Sequence, residues 1–246
     1  MTRLLVAPEG SAFADLGARA IERELRDALA LRGAASLALA GGATPLPVYR
    51  RLAELAADTD EAPWSRTTIF FGDERAVPFQ SPDSNFRAAS QALLERLPTP
   101  PAAVRPMPVL LAAPLDAPAV YARLLPSRLD VLLAGLGDDG HILSLFPGSP
   151  LFGSAPSPVA WAEGPVAPQR RLTLTPAAVT AARVVLVLVS GARKADVVAR
   201  ALTGAADASA LPAALVRERT WILDEPAASR LPPALLATAT RSLEAP

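Results

Sequence analysis

The chain has 246 residues, 51% of them hydrophobic, and its 24 basic and 24 acidic side chains bring the formal charge to zero. That is enough apolar material for a sizeable core, and the well-mixed charge excludes a basic block for nucleic acid or a basic amphipathic helix for a membrane surface. With no cysteine and a single histidine, disulfides, thiolate metal sites and multi-histidine metal sites are excluded too.

The N-terminal MTRLLVAPEG has too short an apolar run for a signal peptide, so a soluble cytoplasmic protein is expected. Arg3–Ala7 reads as a first strand before Pro8 and Gly10. Ser11–Leu31 then carries Phe13, Leu16, Ile21, Leu25 and Leu29 at helical spacing and stops before Gly33. Ala35–Ala40 is a second apolar run, broken by Gly41-Gly42-Ala43-Thr44-Pro45. Thr44 suits an N-cap and Pro45 the first helical position, so a helix is predicted from there to about Ala57. A strand, a glycine turn and a helix N-terminus leave N–H groups free beside the positive end of a dipole, which makes an anion site. The two glycines would serve equally well to let the helix pack close to the strand.

Thr67–Phe71 is a third strand, and it runs into Gly72-Asp73-Glu74-Arg75. Such a charge cluster is ordinarily a solvated turn, but the apolar Val77, Pro78 and Phe79 behind it point to a loop held against the body of the protein. A helix is expected over Ser84–Leu97, with Asn85 at its start as a cap. Residues 98–118 are rich in proline and alanine and read as an irregular connection, followed by a short helix at Ala119–Leu125. The buried strand Leu129–Ala134 ends in Gly135-Leu136-Gly137-Asp138-Asp139-Gly140, a tight loop that presents His141, and the turn Phe146-Pro147-Gly148 closes the segment. Residues 147–169 form a second irregular region with six prolines and a strand near Val159–Trp161. Arg171–Leu174 is extended, and Thr175-Pro176 starts a short helix to about Ala182. The β-branched strand Val184–Val189 ends in Ser190-Gly191-Ala192-Arg193-Lys194, and a helix continues to about Leu202. Thr220–Leu223 is a last strand, followed by Asp224-Glu225-Pro226 and a helical piece.

Strands alternating with helices predict an α/β fold with a mainly parallel sheet and helices on both faces, residues 1–246 forming a single domain. Loops at the carboxyl ends of parallel strands lie on one edge, where ligands bind, so the loops at 41–45, 72–75, 135–141 and 190–194 can converge. Lys194 is the only lysine among 24 basic residues, and it falls in the first turn of a predicted helix. A cation there is disfavoured by ~0.3–1 kcal/mol and makes most sense beside an anion. The set suits a small phosphorylated substrate: Arg75 and Lys194 neutralise the phosphate, the helix start at Thr44 donates N–H bonds, and His141 is left for proton transfer. Asp139 either orients His141 or only shapes the loop.

The segments LALAGGATPLPVY, FFGDERAVPFQSPDSNFRAA, LLAGLGDDGHILSLFPGS, RLTLTPAAVTAA and VLVLVSGARKADVV, spread between residues 35 and 225, resemble those of the 6-phosphogluconolactonase family in type and order. The resemblance implies a Rossmann-like fold shared with glucosamine-6-phosphate deaminase and ribose-5-phosphate isomerase. It also implies no cofactor and no metal, and hydrolysis of 6-phospho-D-glucono-1,5-lactone in the pentose phosphate pathway. By the same resemblance His141 is the general base and Arg75 and Lys194 hold the phosphate. Gly41, Gly42, Thr44, Asp73, Asn85, Gly137 and Arg171 line the pocket. The expected partner is a small phosphorylated sugar lactone, with no nucleic acid and no membrane, and the expected state a monomer. The family usually has serine where this chain has Ala43, and a smaller pair where it has Ile142-Leu143. The nearest rival is a glucosamine-6-phosphate deaminase-like isomerase. It needs a carboxylate base near 73 and an acidic partner past the histidine, whereas Ser144–Gly148 contains no carboxylate. A non-catalytic sugar-phosphate-binding protein is the other alternative; such regulators tend to carry an added DNA-binding segment, and no such stretch is visible here.

Overall fold

Apolar runs without period-two alternation must, as strands, be buried on both faces, as in a parallel sheet covered by helices. A computed structural model, which describes residues 2–57, 63–110, 116–153 and 157–241, places the runs in that setting. In chain order the elements are β1 (Arg3–Ala7), α1 (Ser11–Arg32), β2 (Ala35–Leu39), α2 (Pro45–Ala57), β3 (Thr67–Phe71), β4 (Asp73–Arg75), α3 (Asn85–Ala92), β5 (Ala103–Val104) and α4 (Ala117–Leu124). They continue as β6 (Val131–Ala134), β7 (Val159–Glu163), β8 (Arg170–Leu174), α5 (Pro176–Ala181), β9 (Val184–Val189), α6 (Ala195–Thr203), β10 (Thr220–Asp224), α7 (Glu225–Ala228) and α8 (Pro233–Leu236). Residues 111–115 and 154–156 of the two proline-rich connections lie outside the described residues. Among the described residues no helix is long and apolar enough to cross a membrane.

Seven strands form one parallel sheet in the order β1-β10-β9-β6-β2-β3-β5. β9, β6, β2 and β3 are thus consecutive neighbours, and the four loops singled out in the sequence leave their carboxyl ends side by side. α1 packs on α2 and against β1, β2, β6, β9 and β10, burying Ile21 and Leu25 completely.

Two buried tyrosines end the ladder where the loops begin. The Tyr49 hydroxyl accepts the Ala40 N–H at 2.9 Å and donates to the Ala40 carbonyl at 2.8 Å. The Tyr121 hydroxyl accepts the Phe71 N–H at 2.8 Å. Burial pushes both phenols well above their ordinary range, so they stay neutral and act as fixed donors and acceptors for backbone groups that have left the sheet.

A second sheet, with three antiparallel strands in the order β4-β8-β7, is not anticipated from the sequence. Gly72 is the pivot between the two. Its N–H donates to Leu39 O at 2.9 Å, in line with the first sheet, and its carbonyl accepts from Leu174 N at 2.8 Å, in line with the second. Asp73-Glu74-Arg75, read as a loop, is therefore a strand whose register opposes Asp73 to Thr173, Glu74 to Leu172 and Arg75 to Arg171. Three charged residues carry no alternation of apolar and polar positions, so periodicity does not reveal the strand. Elsewhere β5 lies inside the first proline-rich connection. The helix expected to reach Leu97 stops at Ala92 and gives way to a 3₁₀ turn at Leu94–Arg96.

β6 begins two residues later than its apolar run because Asp130 puts its side chain where a backbone partner would be. Asp130 Oδ2 accepts both Ser36 N and Ser36 Oγ at 2.8 Å, and Oδ1 pairs with Arg32 Nε at 2.7 Å and Arg183 Nε at 3.4 Å. This buried carboxylate ties β2 to β6 at the amino edge, opposite the loops. Asp130→Ala leaves the Ser36 N–H without that partner and is expected to cost about 1–3 kcal/mol in urea unfolding. A loss under 0.5 kcal/mol, in the range of an ordinary surface change, would contradict this account of the edge.

Candidate active site

The four loops enclose a cavity of about 390 Å³ at the carboxyl edge of the parallel sheet. Gly41, Gly42, Thr44, Asp73, Arg75, Asn85, Gly137, His141, Arg171 and Lys194 all line it. Of the residues picked out in the sequence, Asp139 alone is not in the wall, and it sits behind His141.

The loop after β6 is shaped around the imidazole. His141 Nδ1 lies 2.6 Å from Asp139 Oδ1, and the same oxygen accepts the His141 backbone N–H at 3.0 Å. Burial would by itself raise the Asp139 pKa. The His141 N–H bond, the charge of the ring when protonated and the ring hydrogen bond outweigh it and leave the carboxyl below its ordinary value. An ionised carboxylate can only accept, so Nδ1 carries the proton and Nε2 is left with a free lone pair. The loop closes on itself through Gly137 N to His141 O at 2.8 Å. Glycine is required at 137 because a Cβ there would stand 2.0 Å from His141 Nδ1 and 2.6 Å from Asp139 Oδ1. The Phe146 ring packs 4.7 Å from the imidazole centroid, which gives the turn after the loop a part in holding the ring. Leu143, from the bulky pair after the histidine, adopts φ 52° and lines the cavity. A branched-chain residue in the left-handed region stores about 1–2 kcal/mol of strain, held here by the burial of its side chain.

Asp73 is 5% exposed, and each of its carboxylate oxygens accepts a hydrogen bond. Its Oδ2 accepts from Ser144 Oγ at 2.6 Å and its Oδ1 from Asn85 Nδ2 at 3.1 Å. Asn85 is thus not the cap expected at the start of α3; that role belongs to Ser84, whose hydroxyl accepts Arg87 N. The Asn85 side chain is free to reach the site, and it fits because Gly41 has no side chain: a Cβ there would meet Asn85 Oδ1 at 2.1 Å. Glu74 holds this corner together. Its two oxygens accept from the backbone N–H groups of Arg75, Asn85 and Phe86 and from Ser84 Oγ, at 2.7 to 3.0 Å. Burial pushes its carboxyl up even against those four donors.

The wall carries four cations, Arg75, Arg171, Arg193 and Lys194, against two carboxylates, Asp73 and Asp138. Arg75 and Arg171 are direct cross-strand partners, a placement of like charges that is unfavourable in the absence of an anion. Arg75 donates from Nη1 to Asp83 O at 2.6 Å, while its buried Nε has no partner among the described residues. Arg171 is held under the Phe146 ring at 5.4 Å, and burial followed by the nearby Arg75 lowers its pKa. Lys194 closes a 3₁₀ turn at Ala192–Lys194 and precedes α6, rather than lying in the helix's first turn as expected. Its loop is anchored by the buried Asp224, which accepts Ser190 Oγ at 2.6 Å and Gly191 N at 2.9 Å.

Sequence reasoning passed over Asp138, Ser190, Arg193 and Leu136 as wall residues and Ser144, Glu74 and Asp224 as supports. Ser144 and Asp224 have partners far away in sequence, with 71 residues between Asp73 and Ser144 and 34 between Ser190 and Asp224, while Glu74 accepts from residues up to 12 positions on.

Residues 8–223 match the model of the family described as glucosamine-6-phosphate isomerases/6-phosphogluconolactonase. A 6-phosphogluconolactonase from Synechocystis sp. is 36% identical over 228 residues, covering 87% of this chain and 91% of that protein. The solved structure of 6-phosphogluconolactonase from Trypanosoma brucei is 28% identical and superposes with a TM-score of 0.81 over 94% of this chain and 99% of that one. A monomeric glucosamine-6-phosphate deaminase, 22% identical with a TM-score of 0.78 over 92% of this chain and all of that one, shares the fold. The chain therefore belongs to the glucosamine-6-phosphate isomerase/6-phosphogluconolactonase family.

Proposed function

We propose that the protein hydrolyses 6-phospho-D-glucono-1,5-lactone to 6-phospho-D-gluconate, as its named relatives do, in the cytoplasmic oxidative pentose phosphate pathway and as a single-domain monomer. The observation that carries this is the His141–Asp139 contact of 2.6 Å at the wall of a cation-rich cavity. His141 Nε2 takes a proton from water as its oxygen attacks C1 of the lactone. The charge that develops on the carbonyl oxygen is met by backbone N–H groups of the glycine loops. When the tetrahedral intermediate collapses, the bond from C1 to the ring oxygen breaks and the imidazolium returns its proton to that oxygen. The products are a free hydroxyl and a carboxylic acid that ionises. Asp139 keeps the ring in the tautomer that can start the cycle and stabilises the imidazolium in between. Lys194, Arg75 and Arg171, with the N–H groups before α2, hold the phosphate.

Proton transfer between sugar carbons, the reaction of the deaminase branch, would need a free carboxylate base. Asp73 is the group in the right place, but both its oxygens are occupied, by Ser144 and Asn85. No carboxylate follows in Ser144–Gly148 to serve as the acid partner. Both points support lactone hydrolysis over isomerisation.

Purified protein is expected to accelerate acid release from 6-phosphogluconolactone, and His141→Ala to lower kcat by about 10²–10⁴. Ammonia release from glucosamine 6-phosphate without lactonase activity would sink the proposal. Asp139→Asn should reduce kcat by roughly tenfold or more while leaving KM within about a factor of three, because it acts through His141 and not on the phosphate. Lys194→Ala should raise KM roughly ten- to hundredfold with kcat little changed; a fall in kcat at constant KM would contradict its place on the phosphate.

A further inference from the structure

Lys194 is paired with a carboxylate. Its Nζ lies 2.5 Å from Asp138 Oδ1, at the wall of the same cavity. The two partners are unequal. The lysine side chain is 15% exposed and sits on the loop that Asp224 anchors, whereas the Asp138 side chain is 60% exposed and has solvent to move into. The ammonium is thus fixed and the carboxylate is the movable half. Lys194, ahead of Arg193 and His141, holds the Asp138 carboxyl below its ordinary pKa, so the contact is between full charges at neutral pH.

Resting on the lactonase reading, we propose that Asp138 is an internal competitor for the substrate phosphate. It supplies Lys194 with a carboxylate oxygen in the empty site and gives way when a phosphate arrives. An ammonium on a mostly buried side chain would be costly without a partner, and Asp138 removes that cost at the expense of affinity. Displacement subtracts equally from the binding of substrate, transition state and product, since all three carry the same phosphate. That is uniform binding in reverse: KM rises and the phosphorylated product leaves more readily, with no penalty on the chemical step. Asp138 and its neighbour Asp139 therefore do opposite jobs on one loop. Asp139 holds a group in the orientation the reaction needs, while Asp138 keeps a group occupied until the substrate is present.

The test is Asp138→Asn, which keeps the shape and removes the charge at an exposed position. The constant for competitive inhibition by inorganic phosphate should fall about three- to tenfold. KM for the lactone should fall by the same factor and kcat should not rise. In a Lys194→Ala background the Asp138→Asn change should have no effect on phosphate. An inhibition constant that is unchanged or higher would overturn the proposal, since it would mean that Asp138 merely orients Lys194 or does nothing to it. Calorimetric titration with inorganic phosphate reads the same ratio without turnover. Equal affinities in wild type and variant overturn the role of Asp138 whatever the substrate. A wild type that binds phosphate but releases no acid from the lactone overturns the proposed function.

Discussion

A carboxylate oxygen 2.6 Å from Nδ1 of the only imidazole in the chain decides which ring nitrogen faces the cavity, and the proposed chemistry depends on that choice. The surrounding structure is arranged to permit it. Residue 137 has no side chain, so the ring and the carboxylate can occupy its space, and Phe146 closes the far side of the ring. The loop hangs from β6, near the middle of a parallel sheet whose neighbouring strands deliver the other loops of the cavity. A parallel sheet has one edge where all the strands finish, which is how residues from 41 to 194 come to share one small space.

The second constraint is charge. The four cations that line the cavity repel one another, Arg75, Arg171 and Lys194 are partly withdrawn from water, and two carboxylates do not balance them. The protein divides the task. Asp73 is held by Ser144 and Asn85 and contributes a fixed negative field, while Asp138 is exposed and pairs with Lys194. In the proposed lactonase a dianionic phosphate completes the balance. Fold alone does not separate the two branches of this family, since the deaminase superposes about as well as the lactonase from Trypanosoma brucei. In the proposed lactonase, Asp73 is engaged by Ser144 and Asn85.

The seven-stranded sheet was legible in the sequence because β2, β3, β6 and β9 are largely apolar runs that stop at or next to a glycine, and the helices after β1, β2, β3 and β9 have an apolar stripe at helical spacing. Gly41, Gly42, Thr44, Asp73, Arg75, Gly137, His141 and Lys194 of the cavity wall were legible for the same reason, since they stand in the loops at those strand ends. Their supports were not. Glu74 belongs to a charge cluster that gives no sign of being a strand or of accepting four hydrogen bonds. Asp224 and Ser144 reach partners brought close only by the sheet order, which local spacing does not encode. Asn85 was expected to cap a helix, as its position allows. Ser84 took that role, and the close approach to Gly41 turned Asn85 toward Asp73.

Because the protein has one histidine, its imidazole can be observed without ambiguity. The most direct measurement is a long-range proton–nitrogen correlation spectrum of the uniformly ¹⁵N-labelled, ligand-free protein, recorded at a pH where the ring is neutral. The account predicts the tautomer with the proton on Nδ1 and an unprotonated Nε2. A ring protonated on Nε2 would have no lone pair to offer the attacking water and would contradict the assignment of His141 as the base.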